Sequence, residues 1–307
     1  MRRGPRRRRR AVTGSAPGDG AALASQEGAP SASPGAPHLA AEGVTLSYNP
    51  QNPVIEELSV DITPGEVTMI VGPNACGKST LLRALSRVLS PDAGAVVLDG
   101  TPVAQMRPKA FARRVGLLAQ SSIAPEGITV HELVARGRYP HQSVLHQWSP
   151  EDDEAVSEAM ERTDVTGLAP RRVSSLSGGQ RQRVWIAMAL AQRTDILLLD
   201  EPTTFLDLAH QVEVLELCRE LNESLGTTIV AVLHDLNQAG RYADRIVAMR
   251  DGQLVASGTP AEVITAETVK AVFDLDCRII PDPEAGTPLV VPKAGAHSGP
   301  VGRTAAP

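Results

Sequence analysis

Residues 72–80 read Gly-Pro-Asn-Ala-Cys-Gly-Lys-Ser-Thr, which matches the phosphate-binding loop Gly-x-x-x-x-Gly-Lys-[Ser/Thr] at every fixed position. An apolar run at 67–71 precedes the loop, and apolar residues at helical spacing follow it. The pattern predicts a loop between a buried strand and a helix N-terminus, where free backbone N–H groups favour phosphate. The alternative is a glycine-rich turn with an incidental lysine, which the flanking pattern disfavours.

The side chains of this loop have separate predicted tasks. Gly72 and Gly77 let the backbone curl close to a phosphate, Lys78 reaches the β- and γ-phosphates, and Ser79 offers its hydroxyl to Mg²⁺. The candidate phosphate-binding residues are Gly72, Pro73, Asn74, Ala75, Cys76, Gly77, Lys78, Ser79 and Thr80.

Composition and charge limit the class of protein. With 307 residues, 42% of them hydrophobic, the chain can form one large α/β domain or two small ones. Seven of the 30 basic residues precede position 11, and two of the 35 acidic residues precede position 39, so the remainder holds 23 basic and 33 acidic residues. This acidic body argues against broad nucleic-acid binding through phosphate contacts.

Both ends of the chain are predicted to be tails around a domain at 39–280. Residues 1–38 are rich in Arg, Pro, Gly and Ala and lack the apolar region of a signal peptide. They are interpreted as an unstructured extension or a misassigned start, in preference to an anchor for an anionic surface. Residues 281–307 are predicted to be mostly disordered, although 288–291 can pack as an edge segment.

Cysteine usage and apolar run lengths indicate a chain outside the bilayer. Cys76, Cys218 and Cys277 are too widely spaced for a disulfide framework or a zinc site, and they suit a reducing cytoplasm. The longest apolar run in a helical region, 184–191, is too short to cross a membrane. The chain is expected to be soluble, or peripheral by way of a partner.

Two carboxylates follow the continuous apolar run at 196–199, which predicts a parallel strand buried on both faces. At the sheet edge where ligands bind, Asp200 suits coordination of Mg²⁺ and Glu201 suits polarising an attacking water. The alternative is an acidic turn, which the phosphate loop upstream disfavours.

Two further polar residues end predicted strands. Gln120 follows the run at 115–119 and can reach a bound Mg²⁺ or water, a weak signal on its own. His234 follows the run at 228–233 and can bond a γ-phosphate, although a lone histidine there is more often structural. Tyr48 either stacks on an adenine face or is a plain sheet tyrosine.

Residues 176–180, Leu-Ser-Gly-Gly-Gln, predict a second helix N-terminus whose free backbone N–H groups can bind an anion. One nucleotide can use two such sites only if the fold or a second subunit brings them together. The helical pattern of 129–163 interrupts the alternation of strands and helices, so an inserted helical subdomain is predicted at about 125–192, with an exposed loop at 137–142.

These motifs in this order resemble an ATP-binding cassette (ABC) ATPase over about residues 40–275. The resemblance implies an α/β nucleotide-binding domain: a RecA-like P-loop core, an antiparallel β subdomain and an inserted helical subdomain. It implies ATP and Mg²⁺ as ligands, Tyr48 against adenine, Gln120 as sensor of the γ-phosphate and membrane partner, Glu201 as general base and His234 as switch. The metal-binding residues would be Ser79, Gln120 and Asp200.

The same resemblance implies a homodimer. Two subunits would pack head to tail, with Asp207 at the seam, and residues of one subunit would close over the ATP of the other: Ser177, Gly178, Gly179 and Gln180. Phe205 departs from the small residue that many members carry in the seam loop.

Segments 137–142, 183–192, 202–207 and 234–244 are similar to the ATPase subunits of bacterial ferric-siderophore importers. That implies a peripheral subunit on the cytoplasmic face, bound to integral-membrane permease subunits, served indirectly by a substrate-binding protein, and not bound to nucleic acid. Haem, cobalamin or another metal chelate is the alternative cargo. A soluble ABC ATPase acting on DNA or ribosomes is disfavoured, because one cassette fits and no heptads are sustained.

Overall fold

The strand before the phosphate-binding loop lies inside a six-stranded sheet. The computed structural model describes residues 37–49, 51–120, 124–142, 148–204 and 206–294. Predictions about residues 1–36, Phe205 and 295–307 lie outside the described residues. The large sheet has five parallel strands and one antiparallel edge strand, in the spatial order β10 (Gln253–Gly258), β9 (Arg245–Arg250), β3 (Val67–Val71), β8 (Thr228–Val232), β7 (Ile196–Leu199) and β6 (Val115–Leu118).

Strands β3, β7 and β8 are buried along their whole length, as their unbroken apolar sequences predict. Alternate side chains of β3 serve different cores. Met69 and Val71 belong to the cluster on the helical side, whereas Ile70 packs with Leu81 and Ile55 on the other side. The large sheet thus separates two hydrophobic cores, one on each face.

A smaller antiparallel sheet covers the second core. Its spatial order is β2 (Asn52–Ile62), β1 (Leu39–Asn49), β4 (Ala93–Leu98) and β5 (Thr101–Pro102). Both β1 and β2 alternate buried and exposed positions over part of their length, which lets one face pack and the other meet solvent. The predicted antiparallel β subdomain is confirmed.

The α-helices surround these sheets, and 3₁₀ turns link some of them. The helices are α1 (Lys78–Leu85), α2 (Pro108–Ala112), α3 (Val130–Ala135), α4 (Pro150–Arg162), α5 (Gly178–Ala191), α6 (Leu208–Leu225), α7 (Leu236–Tyr242), α8 (Pro260–Val263) and α9 (Ala266–Phe273), and the 3₁₀ turns are Val103–Gln105, Arg136–Arg138, Thr166–Leu168 and Val173–Ser175. Within the described ranges, no helix is both long and apolar enough to cross a bilayer.

Helices α3, α4 and α5 pack on one another and form the inserted helical subdomain. Reciprocal capping boxes start α3 at Thr129 and α4 at Ser149, because each hydroxyl and the acid three residues later satisfy free amides. The prediction of an exposed loop at 137–142 is wrong for Arg138, whose side chain is 2% exposed. Its guanidinium donates to Asp152 Oδ1 at 2.7 Å and to the Ala191 carbonyl at 2.9 Å, which ties together α4 and α5.

The ordered chain continues past residue 280, where the sequence analysis placed the end of the domain. Strand β11 (Cys277–Pro281) pairs with β12 (Pro288–Pro292) in a hairpin. Val290 is buried, and its backbone N–H donates to Asn237 Oδ1 at 2.7 Å. The hairpin therefore packs against α7, in agreement with the prediction that 288–291 can form an edge segment.

Candidate active site

The phosphate-binding loop, residues 72–77, connects β3 to α1 in a shape that glycine permits. Gly72 and Gly77 have φ values of +154° and +103°. A Cβ on Gly72 would stand 2.2 Å from the Met249 carbonyl oxygen, so a side chain there collides with β9. Gly77 provides no side-chain cap for α1, which leaves the amides of the first turn available to an anion.

Lys78 lies at the start of α1 and bends back across the loop. Its Nζ donates to the carbonyls of Gly72 at 2.9 Å and Pro73 at 2.8 Å, and the residue is buried. The ammonium is therefore fixed at the mouth of the loop, where it can meet phosphate oxygens.

Ser79 and Asp200 bring a hydroxyl and a carboxylate together. The Ser79 hydroxyl donates to Asp200 Oδ1 at 2.7 Å, and Asp200 is only 3% exposed. Burial raises the pKa of the Asp200 carboxyl, although the Ser79 hydrogen bond acts in the opposite direction. A divalent cation beside this pair would favour the ionised carboxylate that burial alone disfavours.

Glu201 stands at the centre of the site, and its side chain is 12% exposed. The residue has a left-handed φ of 52° and lies two positions beyond the end of β7. Its Oε1 lies 2.8 Å from His234 Nε2, and its Oε2 accepts hydrogen bonds from Gln120 Nε2 at 2.6 Å and Thr204 Oγ1 at 3.0 Å. Residues that follow three neighbouring strands thus fix one carboxylate in a single orientation.

A cleft of about 530 Å³ opens between the two sheets' ends and holds most of the predicted residues. Tyr48 lies in its lining, with its hydroxyl 3.0 Å from Arg83 Nη1 and 3.4 Å from Thr80 Oγ1. The lining residues are Tyr48, Val54, Asn74, Ala75, Gly77, Lys78, Ser79, Thr80, Gln120, Glu201 and His234. Gly72, Pro73 and Asp200 contact this set through Lys78 and Ser79, and the Cys76 side chain is buried.

The Ser177–Gln180 segment and Asp207 are absent from this lining. Ser177 and Gln180 form a capping box at the start of α5, and Asp207 caps α6. The two helix starts meet at His210, whose ring packs against Gly179 and lies 2.7 Å from Asp207 Oδ1. Within one chain, these residues form a second cluster separate from the cleft lining.

Sequence reasoning missed Thr204 and Arg83. Thr204 lies three residues after Glu201, a spacing at which turn side chains commonly meet, so that spacing was an available signal. Arg83 follows Thr80 by three residues on α1, but its contact with Tyr48 joins α1 to strand β1, 35 residues earlier, and has no local signature.

Comparison with known proteins gives a consistent result. A family model described as ABC transporter matches residues 55–204. The chain is 56% identical over 254 residues to the ferric enterobactin transport ATP-binding protein FepC of Escherichia coli (strain K12), an alignment that covers 83% of this chain and 93% of that protein. It is 53% identical over 254 residues to the petrobactin import ATP-binding protein FpuD of Bacillus anthracis, with the same coverage of each.

Solved structures give the same fold. The dimeric structure of a bacterial ABC transporter cassette is similar, with a TM-score of 0.64 and 27% identity. The match covers 72% of this chain and 98% of that one.

Proposed function

Because the chain belongs to the ABC transporter family as an ATP-binding subunit, we propose that its ATP hydrolysis powers the import of a ferric siderophore through a separate membrane permease. The assignment of ATP hydrolysis rests on the position of the Glu201 carboxylate. It contacts Gln120, Thr204 and His234 at the edge of the phosphate-binding cleft. The cargo is supported by relatives at 56% and 53% identity, whose names specify ferric enterobactin transport and petrobactin import.

In this proposal the loop binds the phosphates of ATP. The close approach of Gly72 to Met249 supports the assignment, because only glycine lets the loop take this path against β9 and keep its backbone close to a bound phosphate. Lys78 supplies a cation at the mouth of the cradle, and Tyr48 in the cleft lining is available to the adenine.

The chain's donor set suits Mg²⁺, a cation that prefers oxygen ligands and is commonly held by one or two protein groups plus phosphates. Ser79 and Asp200, 2.7 Å apart, would hold it together with the Gln120 side chain. When bound, Mg²⁺ supplies positive charge to the phosphate oxygens. The burial of Asp200 beside Ser79 is compatible with this assignment, because a neighbouring cation would favour the ionised carboxylate.

Glu201 acts as general base in this proposal. Oε1 lies against His234, and Oε2 accepts hydrogen bonds from Gln120 and Thr204, so the side chain has little freedom to rotate away. His234 lies in the cleft lining beside the base, where it can respond to the terminal phosphate. The base therefore needs only a water and a bound phosphoryl group in line with it.

The proposed assembly is a homodimer in which the Ser177–Gln180 segment of one subunit completes the ATP site of the other, with Asp207 at the seam. It is supported by the separation of that segment from the cleft lining within one chain. The dimer would bind permease subunits on the cytoplasmic face of the membrane. A substrate-binding protein would then act on this chain only through the permease.

Uptake measurements test the cargo. Cells that lack their own copy would carry wild-type protein, Glu201→Gln or the exposed control Glu161→Gln, and uptake of labelled ferric siderophore, haem and cobalamin would be measured. We expect selective loss of ferric-siderophore uptake with Glu201→Gln only. Loss of haem or cobalamin uptake instead would overturn the cargo, and normal uptake of all three would overturn the transport function.

A further inference from the structure

One glutamine side chain joins the loop after Glu201 to the helix after His234. Gln211 lies in the second turn of α6, and its Nε2 donates to the Leu206 carbonyl at 3.0 Å and to the Thr203 carbonyl at 3.4 Å. Its Oε1 accepts from Gln238 Nε2 on α7 at 2.8 Å. We call this pair of side chains the glutamine bridge.

The bridge is anchored on the α7 side. Asp235, the residue after His234, caps α7 and accepts from the backbone N–H of Gln238 at 3.0 Å. Asn237 holds the same helix to the C-terminal hairpin, because Val290 N–H donates to Asn237 Oδ1 at 2.7 Å. Helix α7 is therefore a fixed support for the bridge.

The anchored bridge and the Glu201–His234 contact close a ring. On one side of this closed loop of contacts, the Glu201 carboxylate lies 2.8 Å from His234. On the other side, the carbonyls of Thr203 and Leu206 are tied through Gln211 and Gln238 to the helix that starts after His234. Two chain segments held at two separate points cannot shift past each other without breaking both contacts.

We propose that Gln211 and Gln238 are positioning residues that set the register between Glu201 and His234 during hydrolysis. Neither residue lies in the cleft lining, so their effect on ATP binding should be small. The inference rests on the proposed role of Glu201 as base, and the experiment below separates the two.

The test measures steady-state ATP hydrolysis with Mg²⁺ by the purified full chain at a fixed protein concentration. Gln211→Met and Gln238→Met replace the amides with side chains of similar length, and both are made singly and together. Gln253→Met is the matched control, because Gln253 also donates to a carbonyl of another strand, that of Glu56 at 3.2 Å, away from the site. Thermal unfolding is recorded for every variant.

We expect each bridge variant to lower kcat about tenfold with an unchanged KM for ATP, because a lost hydrogen bond loosens the base and not the phosphate loop. The double variant should be no worse than Gln211→Met alone, since that substitution already removes every hydrogen bond of the bridge. Wild-type kcat in both single variants would overturn the proposal, as would losses that multiply in the double variant. So would a raised KM at unchanged kcat.

Two further measurements cover the cases in which Gln211→Met unfolds or Glu201 is not the base. If Gln211→Met lowers the unfolding temperature below that of the assay, Gln238→Met alone decides, because it removes only the α7 end of the bridge. Glu201→Gln is assayed alongside. Full turnover in Glu201→Gln would refute the base assignment itself. If Glu201→Gln loses turnover while the bridge variants keep wild-type turnover, only the role of the bridge is refuted.

Discussion

Glu201 and His234 lie 2.8 Å apart, carboxylate Oε1 to imidazole Nε2, although they follow different strands of the parallel sheet. The sheet brings the two chain segments to the same edge, because β7 and β8 are adjacent and parallel. The glutamate is held by two further donors, Gln120 and Thr204. The carboxylate is thus oriented before any water or phosphate needs to arrive.

Glu201→Gln should separate binding from chemistry. The amide keeps the size of the carboxylate but cannot take a proton, so hydrolysis should fall about 10²- to 10⁴-fold. ATP affinity should stay near wild type, because the phosphate loop is unchanged. Single-turnover hydrolysis and equilibrium nucleotide binding measure the two quantities, with Glu161→Gln as control. Equal single-turnover rates in wild type and variant would exclude Glu201 as the base.

Gly72→Ala should damage the phosphate loop directly. The added methyl would stand 2.2 Å from the Met249 carbonyl oxygen, at a φ of +154° that side chains rarely adopt. Relief requires the backbone of the loop or of β9 to move, at a cost of about 1–3 kcal/mol, and the amides then lose their alignment. We expect weaker nucleotide binding and a lower unfolding temperature. Gly167→Ala is the control, since nothing lies within 4 Å of its Cβ; equal behaviour of the two variants would contradict the steric argument.

Much of this architecture could be predicted from sequence because its signals are local. The phosphate loop and the apolar run Ile196–Leu199 each occupy a few consecutive residues, and both lie where predicted. The buried Arg138 and the Gln211 bridge could not be predicted in this way. Their partners lie 14 and 27 residues away, and only tertiary packing brings them together.

The Arg138–Asp152 pair should make stability sensitive to acid. Both side chains are almost fully buried and join at 2.7 Å. Burial opposes ionisation of Asp152, but hydrogen bonds from Arg138 and Ser149 outweigh it and hold the pKa of the carboxyl below its ordinary value. The stabilisation is therefore complete above the ordinary pKa, about 3.9, and is lost as pH falls through the lower pKa of the folded state.

Asp152→Asn should lower the free energy of unfolding by about 3–5 kcal/mol at pH 7, because the Arg138 charge stays buried without a counter-ion. It should also flatten the acid dependence. Denaturant unfolding at a series of pH values measures both effects. Ser149→Ala removes the helix cap and should cost about 1 kcal/mol. If Asp152→Asn cost no more than Ser149→Ala, the buried pair would not be the source of stability.

Gly178 and Gly179 offer a direct test of the proposed head-to-tail dimer. A Cβ on Gly179 would collide with the His210 ring of the same chain at 2.2 Å, whereas nothing lies within 4 Å of a Cβ on Gly178. Gly178→Ala should therefore leave the thermal unfolding of the subunit unchanged. It should nevertheless abolish most ATP hydrolysis if, as proposed, this position faces the nucleotide of the other subunit in the dimer.

Mixing two inactive variants then locates the site. Lys78→Ala is designed to disable the phosphate loop, and Gly178→Ala is designed to disable the segment proposed to cover the partner's ATP. In a head-to-tail heterodimer both defects fall in one composite site, and the other site is intact. The mixture should thus regain part of the turnover that each variant alone lacks. If both elements instead served the same subunit's ATP, every site in the mixture would carry one defect and hydrolysis would stay absent, which would exclude the shared site.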